Sequence, residues 1–284
     1  MRHSTLLVVP TLGFLTAMTV FPTIYLIYLS LLDYNILDGP PTFIGLRNFI
    51  QILSPDSGVL HSFLFTFGFA VTAVLIELVL GIGVALLVAR KNVLAKVTTA
   101  ILIITLVMPP VVSDMTWGYL YNPALGSFSY LAALAGINNL TFLEVWPNVL
   151  YSLILVDIWQ WTPFVALILA AGITSLPVSP YDAAIVDGAN AVNIFRYITL
   201  PLLRPVMWIV TIFRFVDALK VFNKIYLLTR GGPGDATDSV SYHIYYHSIG
   251  FTGDIGLGAS ISLVFLISVL TVSVIMLMAY QRSG

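Results

Sequence analysis

Residues 62–89 read SFLFTFGFAVTAVLIELVLGIGVALLVA, and their only charged side chain is Glu77. An α-helix needs about 20 apolar residues to cross the hydrocarbon core of a bilayer, so this stretch predicts a transmembrane helix. Five other stretches meet the same criterion. The six predicted spans cover residues 6–32, 62–89, 97–121, 148–173, 205–228 and 256–280.

The composition also indicates a chain that lies in lipid. Of the 284 residues, 59% are hydrophobic and 9% are charged, and the mean hydropathy is +0.98. A soluble domain carries about 25% charged residues. The net charge of −1 provides no basic surface for nucleic acid, and the absence of cysteine excludes disulfides and thiolate metal sites. We therefore predict an all-α, polytopic membrane protein with one membrane domain over residues 1–284.

Lysine and arginine near the span ends predict the orientation, because cytoplasmic segments retain positive charge. With the N-terminus inside, the outer loops carry only Arg47 and Arg230. The inner segments then carry seven basic residues: Arg2, Arg90, Lys91, Lys96, Arg196, Arg204 and Arg282. Both termini are therefore predicted to be cytoplasmic, which requires an even number of spans.

The inner loop between spans four and five, about residues 175–205, predicts two short helices. Ser179 suits an N-cap, and Pro180 suits the first helical position, where its missing N–H costs nothing. Gly188 suits the left-handed residue that ends the first helix. Pro201 is expected to end the second helix. Such a helix pair is either a lid on the cytoplasmic face or a docking element for a partner.

Span four carries polar side chains at membrane depth, where they usually have a function. Asp157, Gln160 and Trp161 are spaced i, i+3 and i+4, which places them on one helix face. Hydrogen-bonding groups beside an indole suit a sugar, so these residues are candidates to line a substrate pathway. Trp159 of span four and Asn223 of span five are further candidates. The alternative is that Asp157 pairs within the bundle and the tryptophans form an interface belt.

Span five has a charged face that contains Arg214, Asp217, Lys220 and Lys224. Arg214 and Asp217 are spaced i, i+3 and can pair. We interpret the set as an internal salt-bridge network. Glu77 is a lone intramembrane carboxylate for which the sequence indicates no partner. The prolines at 109, 110 and 163 predict kinks in spans three and four.

Enzyme and metal signatures do not occur in the sequence. There is no G-x-x-x-x-G-K-[ST] loop for ATP, and there is no G-x-S-x-G or H-E-x-x-H motif. His243 and His247 are at metal-binding spacing, but they have no third ligand nearby, so we predict no metal site. No catalytic residue is predicted.

The inner loop resembles the "EAA" loop of ABC-importer permeases. The matching residues are Asp182-Ala183-Ala184, Asp187-Gly188-Ala189, Phe195, Ile198, Pro201 and Pro205. Three further segments are similar to the carbohydrate branch of that family, which imports maltose, other sugars and glycerol phosphate. They are Phe43-Ile44-Gly45-Leu46-Arg47-Asn48-Phe49, Trp161-Thr162-Pro163-Phe164 and Leu228-Thr229-Arg230-Gly231-Gly232-Pro233.

The resemblance implies the type I importer permease fold, with six transmembrane helices in the inner membrane of a prokaryote. It also implies a second permease subunit, two cytoplasmic ATPase subunits that bind ATP and Mg²⁺, and an extracytoplasmic solute-binding protein. The chain itself is then expected to need no cofactor and to translocate a sugar or polyol. The residues implied in coupling to the ATPase are Asp182, Ala183, Ala184, Asp187, Gly188 and Pro201.

The same residues leave open the role of Asp182 and two other function classes. Asp182 replaces the glutamate of the family pattern, so its shorter carboxylate either reaches an ATPase arginine or only caps its own helix. The chain could instead be a stand-alone secondary transporter in which Asp157 or Glu77 carries protons. A polytopic membrane enzyme is a third class, for which the sequence contains no catalytic set.

Overall fold

The computed structural model describes residues 2–90, 92–137 and 140–283, with side chains described from Val9 to Arg282 within these ranges. Lys91 and the side chain of Arg2, which contributed to the predicted orientation, lie outside the described residues. Two short strands, β1 (Leu32–Asp33) and β2 (Thr42–Phe43), pair antiparallel. All other regular elements are helical.

Thirteen α-helices are assigned within the described residues. They are α1 (Arg2–Ser30), α2 (Arg47–Ile52), α3 (Val59–Val88), α4 (Val93–Val107), α5 (Pro110–Leu120), α6 (Ser127–Leu134), α7 (Asn148–Thr174), α8 (Ser179–Val186), α9 (Ala191–Ile194), α10 (Leu200–Leu219), α11 (Asn223–Leu228), α12 (Val240–Tyr245) and α13 (Ile255–Ser283). A 3₁₀ turn covers Pro55–Ser57, and π-helical turns cover Phe195–Thr199 and Tyr246–Gly250.

Four helices in the described part of the chain are long and apolar enough to cross a membrane. They contain Val9–Ser30, Val59–Val88, Asn148–Thr174 and Ile255–Arg282. The predicted third span is instead a pair of helices, α4 and α5, bent by 97°. The cause is Pro109-Pro110, because proline lacks an N–H and forces the preceding residue out of the helical region. Met108 accordingly has an extended ψ of 123°.

The predicted fifth span is also divided, into α10 and α11, which are separated at Lys220–Phe222. By length and composition the described residues thus contain four spans, or five if the bent pair is counted as one, rather than the predicted six. The fifth stretch is not counted because α10 ends at Leu219 and carries Arg204, Arg214 and Asp217 within its 20 residues. The expected kink at Pro163 does not interrupt α7, which continues from Asn148 to Thr174.

The chain divides into two compact units. One unit runs to Leu64 and resumes over Val240–Leu270, and the other contains Phe65–Ser239 and the chain from Thr271 onward. The prediction of one membrane domain over residues 1–284 stays a prediction.

In the first unit, the end of α1 is held by polar bonds. Asn48 donates through Nδ2 to the carbonyls of Ser30 and Leu32, at 3.1 and 2.8 Å. Gly256 approaches this segment so closely that a Cβ atom would lie 2.1 Å from the Leu32 carbonyl oxygen. The core of this unit comprises Ile52, Val59, Val240, Leu257 and Ile261.

The second unit has its apolar core between α3, α7 and α10. The buried residues are Ala85, Val165, Leu169, Ala170, Leu203 and Val210. Gly172 allows α7 and α10 to approach, because a Cβ atom there would lie 2.8 Å from Leu203 Cδ1. These three helices also carry the charged residues Glu77, Asp157 and Arg214, respectively.

Asp254, which lies just before α13, provides a test of stability that depends on pH. Its Oδ1 accepts the Leu257 N–H at 2.9 Å, so it acts as a helix cap. Burial raises the pKa of Asp254 above its ordinary value of 3.8, the Leu257 bond lowers it, and Asp33 and Asp38 raise it further. Asn keeps the cap without the charge, so we expect Asp254→Asn to melt at or above the wild-type temperature at pH 7.

The matched control is Asp254→Ala, which loses the cap and should cost about 1 kcal/mol of unfolding free energy. Because the folded-state pKa is raised, the ionised carboxylate weakens the fold as pH increases through that pKa. The advantage of the Asn variant should therefore shrink toward low pH in melting curves measured in detergent. An Asn variant that melts as low as the Ala variant at pH 7 would contradict this account.

Candidate functional site

Helix α7 supplies the buried polar side chains of the second unit. Of the apolar stretch of α7, 61% is buried inside the protein, which is the highest share among the four membrane-spanning helices. Asp157 and Gln160 are both buried on this helix, and Trp161 is partly buried. A buried carboxylate is costly unless it is paired, so its partners decide what it does.

Arg214 of α10 is the centre of the charges, and its side chain is only 1% exposed. Its Nη2 donates to Glu77 Oε1 of α3 at 3.0 Å and also to Asp157 Oδ2. Its Nε lies 2.8 Å from Glu77 Oε2, an ion-pair contact that is not aligned as a hydrogen bond. The guanidinium carbon stands 4.9 Å from the ring centre of Trp161, within cation–π distance. The lone carboxylate Glu77 thus has a partner that the sequence did not indicate.

A second buried cation extends the set. Lys224 of α11 lies 3.3 Å from Asp114 Oδ1 of α5 and 3.4 Å from Asp157 Oδ1. Asp157 therefore bridges Arg214 and Lys224. We call Glu77, Asp114, Asp157, Arg214 and Lys224 the buried ion network. It connects α3, α5, α7, α10 and α11.

A more accessible pair lies next to this network. Asp217 Oδ2 is 3.4 Å from Arg214 Nη1, and Asp217 Oδ1 is 3.3 Å from Lys220 Nζ. The Asp217 side chain is 34% exposed and that of Lys220 is 61% exposed. The predicted pairing of Arg214 with Asp217 and the predicted salt-bridge network are confirmed.

All of these charged side chains except Glu77 line a cavity of about 200 Å³. Its lining residues come from α5, α7, α10 and α11 and from the segment between the last two. They are Pro110, Asp114, Asp157, Trp161, Arg214, Asp217, Ala218, Lys220, Val221, Phe222, Asn223 and Lys224. The arrangement offers hydrogen-bonding groups beside an aromatic face.

Three of the five predicted pathway residues, Asp157, Trp161 and Asn223, meet at this cavity. The other two do not line it. Gln160 donates through Nε2 to the Met108 carbonyl at 3.1 Å, at the break between α4 and α5. Trp159 packs its ring against Trp117, with ring centres 5.7 Å apart. Gln160 and Trp159 therefore do not line this cavity, and their place in a substrate pathway stays a prediction.

Asp114 was not among the predicted site residues. Its signal was available, because it is the only charged residue in the predicted third span, 97–121, and it lies four residues after Pro110. An acid inside an apolar stretch usually has a function or a partner. The structure pairs it with Lys224.

The predicted coupling loop contains α8, α9 and the π-helical turn that leads into α10. Gly188 has a φ of +75°, as predicted, and the Ala189 N–H bonds to the Ala184 carbonyl at 2.9 Å. The predicted cap at Ser179 is wrong by one residue, since Val178 precedes the first helical residue and no side chain caps the helix. Pro180 accordingly occupies the second position.

The expectation that Pro201 ends the second helix is also wrong. The chain continues without a break from Ala191 through the π-helical turn into α10. In that turn the Leu200 N–H bonds to the Phe195 carbonyl five residues back, and Pro201 lies in the first turn of α10, where its missing N–H is tolerated. Tyr181 bonds through its hydroxyl to Thr199 Oγ1 at 3.1 Å, which ties α8 to this turn.

The rest of the loop presents the implied coupling residues at its surface. Asp182, Ala183, Asp187 and Gly188 are exposed, whereas Ala184 is buried. The carboxylate of Asp182 makes no hydrogen bond or ion pair with the described part of the chain. Exposed apolar side chains accompany these residues: Val178, Ile185, Val186 and Val192. The surface is thus apolar with two carboxylates, Asp182 and Asp187, beside it.

The model of the family described as binding-protein-dependent transport system inner membrane component matches residues 77–283. The chain belongs to this family. The matched region begins at Glu77 and contains the buried ion network, the cavity and the loop with α8. Membership places the chain among the inner-membrane components of transport systems and agrees with its apolar helices.

Relatives in this family match almost the whole chain. The trehalose/maltose transport system permease protein of Thermococcus litoralis is 34% identical over 274 residues, which cover 96% of this chain and 91% of that one. The trehalose transport system permease protein of Mycobacterium tuberculosis is 32% identical over 262 residues, 92% of this chain and 83% of that one.

A solved structure gives the fold. The chain superposes on a bacterial ABC transporter involved in the import of the acidic polysaccharide alginate with a TM-score of 0.86, covering 99% of this chain and 96% of that chain. The sequences are 19% identical, so this likeness concerns the fold. The fold is that of the type I ABC importer permeases, as the resemblance implied.

Proposed function

We propose that this chain is the permease subunit of an ATP-driven importer that moves a sugar across the inner membrane by alternating access. The observation that carries the proposal is the 34% identity to a trehalose/maltose permease along 96% of the chain. The cavity supports it. An uncharged sugar that leaves water needs hydrogen bonds for its hydroxyls and an aromatic face for its ring, and Asp157, Asn223 and Trp161 supply both.

The assembly that we propose contains a second permease, two ATPase subunits and an extracytoplasmic solute-binding protein. ATP and Mg²⁺ would be bound by the ATPase subunits, and this chain would carry no cofactor and no catalytic residue. The exposed surface around α8, with Ile185, Val186 and Asp182, suits the ATPase contact because it combines apolar area with a carboxylate. Asp182 is then free to reach an ATPase arginine.

The proposed orientation has both termini in the cytoplasm. In this orientation the basic residues Arg90, Lys96, Arg196 and Arg204 lie on the cytoplasmic side, together with α8. None of the apolar stretch of α1 is buried by other parts of the chain. We propose that lipid and the second permease cover it.

The test is uptake of labelled trehalose and maltose by liposomes that contain the transporter assembled with its cognate subunits and supplied with ATP. Trp161 lines the cavity and its ring lies under Arg214, so Trp161→Ala removes the aromatic face. We expect the half-saturation concentration for the preferred sugar to rise roughly 5-fold, since a well-placed aromatic contact contributes about 0.5–1.5 kcal/mol.

Gln160→Ala is the matched control on the same helix, because Gln160 bonds to the Met108 carbonyl and does not line the cavity. It should lower the melting temperature in detergent and leave the ratio between trehalose and maltose uptake unchanged. A Trp161 variant that behaves like the Gln160 variant would remove Trp161 from the pathway. Uptake by the chain alone under a proton gradient, without ATP, would contradict the importer and favour the secondary transporter.

A further inference from the structure

The cavity has no cation to spare for an anionic ligand. Among the groups that line it, the three carboxylates of Asp114, Asp157 and Asp217 face the three cations of Arg214, Lys220 and Lys224. Each cation is within 3.4 Å of at least one of these carboxylates. The lining is therefore electrically balanced before any ligand enters.

The buried cations are committed to their partners. Arg214 contacts Glu77 and Asp157 in addition to Asp217, and Lys224 is shared between Asp114 and Asp157. A ligand carboxylate, sulfonate or phosphate would have to displace one of these partners, which would then remain buried and unpaired. That exchange is unfavourable because an unpaired buried charge costs several kcal/mol in a protein interior.

The balance can be altered at one place without opening the buried ion network. Asp217 and Lys220 lie at the accessible side, with side chains 34% and 61% exposed. Lys220 has Asp217 as its one ion-pair partner within the described residues. If Asp217 lost its charge, Lys220 would become an unpaired cation next to the cavity.

We propose that this cavity selects uncharged sugars, and that Asp217 determines the selectivity by neutralising Lys220 and by pairing with Nη1 of Arg214. The inference rests on the proposed function and narrows its substrate class. The shared fold does not indicate the charge of the substrate, since it also occurs in a transporter of an acidic polysaccharide. The charges around the cavity determine whether an anionic or an uncharged sugar binds, because contacts between like charges oppose binding and exclude wrong ligands.

The experiment compares trehalose with trehalose in which one primary hydroxyl is oxidised to a carboxylate. The transporter, assembled with its cognate subunits but without the solute-binding protein, is placed in nanodiscs. The dissociation constant of each sugar is measured by saturation-transfer NMR titration. The quantity of interest is the ratio of the two constants, oxidised over unmodified. Wild type should show a ratio well above one.

The variants change the charge of the lining in both directions. Asp217→Asn adds one net positive charge, and we expect it to lower the ratio about tenfold. Lys220→Gln adds one net negative charge and should raise the ratio. The double variant restores the wild-type charge balance, so its ratio should return toward the wild-type value. Asp217→Glu keeps the charge and serves as the control for the change of side chain.

Each outcome either supports or contradicts the role proposed for Asp217. Opposite shifts in the single variants and a restored ratio in the double variant support the proposal. If both single variants move the ratio in the same direction, or the double variant is worse than either, Asp217 has a structural role only. Equal binding of both sugars by wild type overturns the selectivity while leaving sugar import intact. If the wild type binds neither of these sugars and also fails to bind maltose, the proposed passage of sugar through this cavity fails instead. Lys220 is exposed, so Lys220→Gln keeps the test available if Asp217→Asn does not fold.

Discussion

Arg214→Met is expected to lower the melting temperature of the second unit more than any other single change discussed above. The guanidinium has three carboxylate partners, and it is almost fully buried. Methionine fills a similar volume but pairs with none of them. Breaking a buried ion pair by removing one partner costs about 3–5 kcal/mol, because it leaves an uncompensated charge.

The structure also identifies which carboxylate would be left alone. Asp157 keeps Lys224 at 3.4 Å, and Asp217 keeps Lys220 at 3.3 Å. Glu77 has Arg214 as its one cationic partner among the described residues. The double variant Arg214→Met, Glu77→Gln should therefore recover much of the lost stability, since it removes the orphaned charge.

Thermal unfolding of the purified chain in detergent measures both effects. Arg214→Lys is the control that keeps the charge. It should be intermediate, because lysine cannot contact two carboxylates with a planar fork. If Arg214→Met melts like the wild type, or if adding Glu77→Gln destabilises it further, the network does not hold these helices together.

Gly188→Pro is expected to uncouple ATP hydrolysis from transport. Gly188 has a φ of +75°, and its N–H bonds to the Ile185 carbonyl at 3.1 Å. Proline fixes φ near −65° and has no N–H, so it can adopt neither feature. The penalty of about 3 kcal/mol corresponds to a shift of roughly 100-fold in the population of the native loop.

The coupling is measured as sugar transported per ATP hydrolysed in liposomes that contain the assembled transporter. We expect this ratio to collapse while the chain still inserts and melts near the wild-type temperature, since Gly188 is exposed at the end of α8. Gly188→Asn is the control. Asparagine tolerates positive φ, and the space around the Cβ position is empty. A proline variant with wild-type coupling would contradict the proposed contact with the ATPase.

Several features of the fold were predictable because they depend on short stretches of sequence. The bend at Pro109-Pro110 follows from the missing N–H of proline, although a bend as large as 97° between α4 and α5 was not expected. The left-handed Gly188 follows from the end of an apolar helical pattern. The cap at Ser179 was misplaced by one residue, and Pro201 was misread as a helix end. A π-helical turn immediately before Pro201 continues the helix into α10, and no local sequence pattern predicts such a turn.

The candidate site was predicted only in part. Spacing on one helix grouped Asp157, Gln160 and Trp161. Asp157 and Trp161 line the cavity, whereas the long side chain of Gln160 turns to the Met108 carbonyl at the break between α4 and α5. Helical periodicity specifies a face and does not specify which neighbour that face contacts. The pairing of Arg214 with Asp217 was predictable because the two are three residues apart.

The sequence by itself determined that this protein lies in lipid, and it determined the family to which the protein belongs. An apolar chain with 9% charged residues cannot cover its surface in water, and the loop with Asp182 and Gly188 carries a family pattern. Only the tertiary structure decided the partners of the buried charges. Arg214 meets Glu77 across 137 residues of chain, and Lys224 meets Asp114 across 110. A charge buried in an apolar interior must be paired, but the sequence does not state which helices pack together, so the choice of partner belongs to the packing.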